Sequence, residues 1–246
     1  MANQVRSNTN HSLVFCPIRV QFVFHPWPSQ QNGLENRSTK MLAVIFALLV
    51  FVLASSLHAN QTPSSTDLAI RELIGRGAII KRFEVREAET VGLLVRLKAG
   101  HLDAEGRIDL NVVEELAKIP DLALELRSLP LSDSGLKVLL KQIEPIGLDL
   151  SGSHVTNRGF ESIAQASQLR WLDISFTKIG DDGLKSLTTL RELRHVSVMK
   201  CAISDEGLAH LEPLRLLREI YLSETRVSDR GITRLQQRLP KCRIER

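Results

Sequence analysis

Gly135, Gly159, Gly183, Gly207 and Gly231 stand 24 residues apart every time. Two residues before each lies Asp133, Asn157, Asp181, Asp205 or Asp229, and Leu136, Phe160, Leu184, Leu208 or Ile232 follows. Two apolar columns keep the same period: Leu124, Leu148, Leu172, Val196, Ile220, Ile244, and Leu126, Leu150, Ile174, Val198, Leu222. A fixed period of this length constrains the chain to a stack of similar units. A single unit cannot bury its own apolar faces, whereas neighbours in a stack bury them for each other.

One unit, residues 169–190, shows how each is built. Leu172 and Ile174 alternate with Trp171, Asp173 and Ser175, the pattern of a half-buried strand. Asp181 is expected at a helix start, where a carboxylate accepts orphan backbone N–H groups. Leu184, Leu187 and Leu190 then supply one apolar helical face. The unit therefore reads strand, turn, helix.

These residues, written L-x-x-L-x-L-x-x-T/C-x-I/L-x-D-x-G-L, resemble the leucine-rich repeat family, in the subclass found in exported bacterial and F-box-type members. The resemblance covers about residues 110–246. It implies an α/β fold: a right-handed solenoid with parallel strands on the concave face and helices on the convex face. Family members mostly bind proteins on the concave side. The resemblance also implies that the turn column Ser153, Thr177, Cys201, Thr225 bonds backbone of a neighbouring coil, making Cys201 structural. Cys242 falls at another phase, so no disulfide between the two is expected. No F-box is apparent upstream.

Residues 60–108 read as a linker and an N-terminal α/β cap, and residues 109–246 as about five repeats. In the cap, Asp67, Leu68, Ile70, Leu73 and Ile74 suggest a short helix ended by Gly75 and Gly77. Ile79–Val85 and 91–97 alternate as two strands. Residues 109–119 resemble a degenerate first helix. At the far end, residues 240–245 begin one more strand, and Arg243, Glu245 and Arg246 give it a charged edge that discourages stacking.

Met41–Leu53 carries no charge and follows Arg37 and Lys40, with small residues after it. A basic flank, an apolar core and a small-residue end describe a secretory signal. Two outcomes stay open: a cleaved signal, or a single-span anchor through residues 41–57. Either way the body is exported, to a periplasmic, secreted or membrane-anchored location. Translation starts at Met1 or at Met41, and residues 1–40 are expected to be unstructured or untranslated. The overall charge of +4 owes most to this leader. Residues 1–59 hold Arg6, Arg19, Arg37 and Lys40 against Glu35, which leaves 28 basic and 27 acidic groups for residues 60–246. A body of net charge +1 with few aromatic residues lacks the basic stripes and stacking rings of a nucleic-acid partner.

The strand residues that point away from the core should line the concave face. Among them are Arg127, Asp149, Trp171, Asp173, His195, Met199 and Tyr221, with Trp171 and His195 side by side on adjacent strands, about 4.8 Å apart. Trp, Tyr and Arg are the types enriched at binding hot spots. The expected function is non-catalytic binding of a protein or peptide by a monomer, without cofactor or metal. The alternative is a structural envelope-associated module, and an F-box-like adaptor or an enzyme comes third. Ser175, His195 and Asp173 invite comparison with a catalytic triad, but an open sheet excludes little water and offers no evident oxyanion donors. His101, Asp103, Glu105 and Asp109 read as a polar turn rather than a metal loop.

Overall fold

A computed structural model describes residues 63–85 and 90–246. The expected leader, residues 1–59, lies outside the described residues. Among the described residues no helix is long and apolar enough to cross a membrane.

The chain lays down eight strands in sequence order within one sheet. Strand β1 is Ile79–Val85, β2 Thr90–Arg96, β3 Leu122–Glu125 and β4 Gly147–Asp149. Strand β5 is Trp171–Asp173, β6 His195–Ser197, β7 Glu219–Tyr221 and β8 Arg243–Glu245. β1 pairs antiparallel with β2; every later pairing is parallel. The register follows the sequence period: Leu148 faces Leu172, Leu172 faces Val196, and Val196 faces Ile220. These four side chains are at most 1% exposed. Each contributes about 1.5–3 kcal/mol by leaving water, and only with a neighbouring coil in place.

The cap forms for local reasons. Ser64 and Asp67 satisfy each other's backbone N–H groups, the reciprocal cap that starts helix α1, Ser65–Gly75. The chain leaves α1 through Gly77, whose φ of +91° suits glycine. Thr66 donates to the Lys118 carbonyl at 3.0 Å, tying α1 to the coil of α2, Leu110–Leu116. Asp109 caps α2 by accepting from Asn111 N–H at 2.8 Å. Leu73, Val95, Val113 and Leu116, all fully buried, close the apolar edge of the first repeat.

Among the period-24 coils, full helices occur only in α3, Asp133–Gln142, and in the last coil, Asp229–Arg238. Between them the expected helices contract. Residues Asp181–Leu184 make one α-turn and Lys185–Thr189 continue as 3-10 helix, and Asn157–Phe160 with Glu161–Gln165 do the same. A 3-10 helix rises about 2.0 Å per residue against 1.5 Å, so it spans a coil's outer side with fewer residues.

The expected cap role of the period-24 aspartates is corrected. The caps are Ser132, Ser204 and Ser228, whose hydroxyls accept from Gly135, Glu206 and Gly231 N–H. Asp133, Asp181 and Asp205 reach into the next coil instead. Asp133 accepts from Thr156 N–H and hydroxyl, both at 2.7 Å. Asp181 does the same for Ser204 at 2.8 and 2.6 Å, and Asp205 for Ser228 at 2.7 and 2.6 Å. Asn157 accepts from Gly180 N–H at 2.8 Å. These bonds hold Asp205's carboxyl below its ordinary value. The invariant spacing of the glycines follows. A β-carbon on Gly159, Gly207 or Gly231 would overlap the carboxylate of Asp133, Asp181 or Asp205 in the coil before.

Candidate functional site

Two rows of side chains cross the outward face of the sheet. One runs Ala123, Gly147, Trp171, His195, Glu219, Arg243; the other runs Arg96, Glu125, Asp149, Asp173, Ser197, Tyr221, Glu245. Trp171 and His195 are direct partners in the register, as expected. The indole leans over Gly147: its Cε3 stands 3.2 Å from where a β-carbon there would be. A missing side chain in one coil seats the ring of the next.

His195 and Tyr221 are oriented by one carboxylate. Glu219 Oε2 lies 3.2 Å from His195 Nδ1 and accepts from the Tyr221 hydroxyl at 3.2 Å. The imidazole and the carboxylate are 40% and 36% exposed, so solvent or a ligand reaches both. Met199, half-buried, donates its backbone N–H to the Ser175 hydroxyl at 3.2 Å.

Two expected surface residues are not at the surface. Asp149 and Asp173 point to the outward side by register, yet they are 1% and 6% exposed. Their carboxylates fold back on the chain, each accepting from the N–H two residues on, at Ser151 and Ser175, at 2.8 Å. Asp149 is then roofed by Arg127, whose Nε and Nη2 lie 3.2 and 3.1 Å from Oδ2. Burial pushes the Asp173 carboxyl above its ordinary value. Ser151, Ser175 and Ser197 are buried as well.

Ser175, His195 and Asp173 do not assemble as a triad. The Ser175 hydroxyl bonds Ser197 at 2.7 Å, and His195 turns to Glu219. In the loop of His101, Asp103 is occupied by the N–H groups of Glu105 and Arg107 and by the Arg107 guanidinium. Asp109 serves its helix cap. Among the described residues no group of three or more potential metal ligands comes together.

Cys201 sits where the turn column places it. Its thiol, 3% exposed, donates to the Ile174 carbonyl of the previous coil at 3.1 Å. Thr177 and Thr225 donate to Ile174 and Leu222 in their own coils at 2.6 and 2.7 Å. Cys201 and Cys242 are both free thiols. Burial raises the Cys201 thiol and lifts Cys242 to about 11.

A rim of left-handed residues borders the face and was not anticipated. Ser128, Gly152, Phe176, Lys200 and Glu224, again 24 residues apart, have φ of 56°, 67°, 60°, 57° and 58°. The backbone turns there while still donating to the next coil: Phe176 N–H to the Met199 carbonyl at 2.9 Å, Lys200 N–H to Ser223 at 3.0 Å. Phe176 is 55% exposed, and the Lys200 ammonium lies 5.1 Å from its ring centroid and 3.1 Å from Glu224.

The Leucine Rich repeat family model matches residues 168–187 and 189–211, the coils that carry Trp171 and His195. Among curated proteins no relative matches the chain. Solved structures with a similar backbone include internalin C2 from Listeria monocytogenes, at 24% identity and a TM-score of 0.40. That alignment covers 52% of this chain and 52% of the internalin. A leucine-rich repeat protein of Leptospira interrogans aligns at 21% identity and a TM-score of 0.39, over 54% of this chain and 33% of its own. The chain thus spans about half of the first relative and a third of the second.

Proposed function

We propose that this chain, a leucine-rich repeat protein, binds a protein or peptide on the outward face of its sheet, centred on Trp171, His195 and Tyr221. The observation that carries the reading is the shared carboxylate of Glu219. It holds an imidazole and a phenol side by side next to a half-buried indole. Side chains oriented before a ligand arrives lose little rotamer freedom on binding, which is where affinity is otherwise lost. Three amphipathic side chains concentrated on adjacent strands also match the composition of interface hot spots. The bonds of Ser175 and His195 to other partners disfavour a catalytic reading of the same face.

Export belongs to the same proposal. It rests on the uncharged Met41–Leu53 stretch behind Arg37 and Lys40. N-terminal sequencing of the protein from secreted and membrane fractions of its host tests it. A mature terminus near Asn60 is the expected result, and a chain found intact from Met1 in the cytoplasm contradicts it. The binding face is tested by the pair Trp171→Ala and His195→Ala. Capture of the host partner should fall at least tenfold with melting unchanged. Equal capture by the double variant overturns the location of the site.

A further inference from the structure

Three carboxylates, Glu125, Asp149 and Asp173, stand in line on β3, β4 and β5. The first two have a guanidinium each. Arg96 Nη2 meets Glu125 at 2.6 Å, and Arg127 meets Asp149 through Nε and Nη2. Arg127 precedes Asp149 by 22 residues. The residue that precedes Asp173 by 22 is Ser151, whose hydroxyl is too short to follow and donates to Asp149 at 2.6 Å. Among the described residues no basic side chain forms an ion pair with Asp173. Asp173 is 6% exposed, its Oδ1 accepts from Ser175 N–H, and Arg127, committed to Asp149, acts on it through its field alone.

An ionised carboxylate removed from water without a counter-ion is costly. The repeat itself shows what relieves that cost, because one coil earlier an arginine lies over the equivalent aspartate. Trp171 sits two residues before Asp173 on the same face of β5, about 7 Å away. An indole and a carboxylate at that separation suit a planar cation, which accepts the face of the ring and the fork of the carboxylate together. With Asp149 already neutralised by Arg127, the local balance calls for one positive charge.

We propose that Asp173 and Trp171 form a subsite for an arginine side chain of the bound protein, placed over Asp173 as Arg127 is placed over Asp149. The proposal rests on the binding face described above and names the chemistry of its ligand. The partner therefore presents an exposed arginine, stacked on the indole, to the centre of the sheet.

The test uses N-acetyl-arginine amide as probe, with the lysine, glutamate and leucine amides beside it, and reads the Trp171 indole N–H by NMR at neutral pH. The arginine amide should give a saturable shift at millimolar concentration, with the lysine amide weaker and the other two silent. Asp173→Asn keeps the acceptor for Ser175 and should weaken the arginine amide at least tenfold without lowering the melting temperature. Ser151→Arg supplies the missing internal guanidinium and should block the probe at least tenfold. Unchanged arginine binding in Asp173→Asn overturns the subsite. A response to the leucine or glutamate amide with arginine silent also overturns it, but leaves the face as a binding surface. Silence of all four overturns the arginine subsite, while partner capture by the Trp171 and His195 variants decides the broader reading separately.

Discussion

The carboxylate of Asp181 fills the space that a side chain on Gly207 would need, and from there its two oxygens accept from the N–H and hydroxyl of Ser204. Position 207 is thus a glycine because of what residue 181 does one coil earlier. Conformational freedom does not enter, for Gly207 lies within the regular helical turn Asp205–Ala209.

Gly207→Ala should destabilise the protein by about 2–4 kcal/mol in urea unfolding, because the new methyl meets a carboxylate anchored by two bonds. Asp181→Ala alone should cost about 1–3 kcal/mol through the unpaired Ser204 groups. The two effects act on one site, so the double variant should recover at least about 1 kcal/mol relative to their sum. Strict additivity would show that the two residues do not share the space.

Cys201→Thr should be tolerated within about 1 kcal/mol, since Thr177 and Thr225 fill the same column and place their hydroxyls on a carbonyl of their own coil, as a threonine at 201 can on Val198. Cys201→Ala should cost more, about 1–2 kcal/mol, for the lost donor and the void. Burial holds both thiols protonated at pH 8. Peptide-resolved alkylation should leave Cys201 and Cys242 unmodified until the protein unfolds; rapid native labelling of either contradicts the packing.

Asp173 and Asp205 should give opposite pH signatures. Burial raises the folded carboxyl of Asp173 above its unfolded value, so its ionisation opposes folding above the raised value. That penalty fades as pH falls toward the ordinary carboxylate range. Hydrogen bonds from Ser228 lower Asp205, so its contribution is complete above the ordinary carboxylate value and is lost as pH falls through the depressed one. Melting curves should place Asp173→Asn above the parent at pH 7, with the gap closing near pH 4. Asp205→Asn should lie below the parent at pH 7, the difference shrinking in acid. A reversed order for either variant refutes the assigned environment.

Phe176→Gly should stabilise the fold by up to about 1 kcal/mol. A left-handed backbone costs an ordinary side chain about 1–2 kcal/mol, offset in part by glycine's greater freedom when unfolded. Gly152 already fills the equivalent place one coil earlier, at φ 67°. A clear loss of stability would mean that the exposed ring and its contact with Lys200 outweigh the strain.

Much of this architecture is written in the period. Leu148, Leu172, Val196 and Ile220 reveal the strands because inward positions must be apolar in every coil, and the Trp171–His195 pairing follows from the same count. The aspartate bonds were harder to see, since an acid before a helix reads as a cap until its reach into the next coil is known. A serine or threonine directly before the Asp or Asn in most coils, at 132, 156, 204 and 228, was the available signal. The burial of Asp149 and Asp173 had no such signal. Alternation assigns a side of the sheet, whereas exposure depends on whether a short side chain bends back to a serine and whether Arg127 lies across it.

The bond from each aspartate to the residue 23 places on, and its clearance against the glycine 26 places on, also set how this chain tolerates change in length. Losing or duplicating a whole 24-residue unit restores both relations at the new junction. An insertion of any other size within a coil leaves one carboxylate facing a side chain and one cap without its acceptor. Such a protein lengthens or shortens in whole steps, and its sheet widens by one strand at a time.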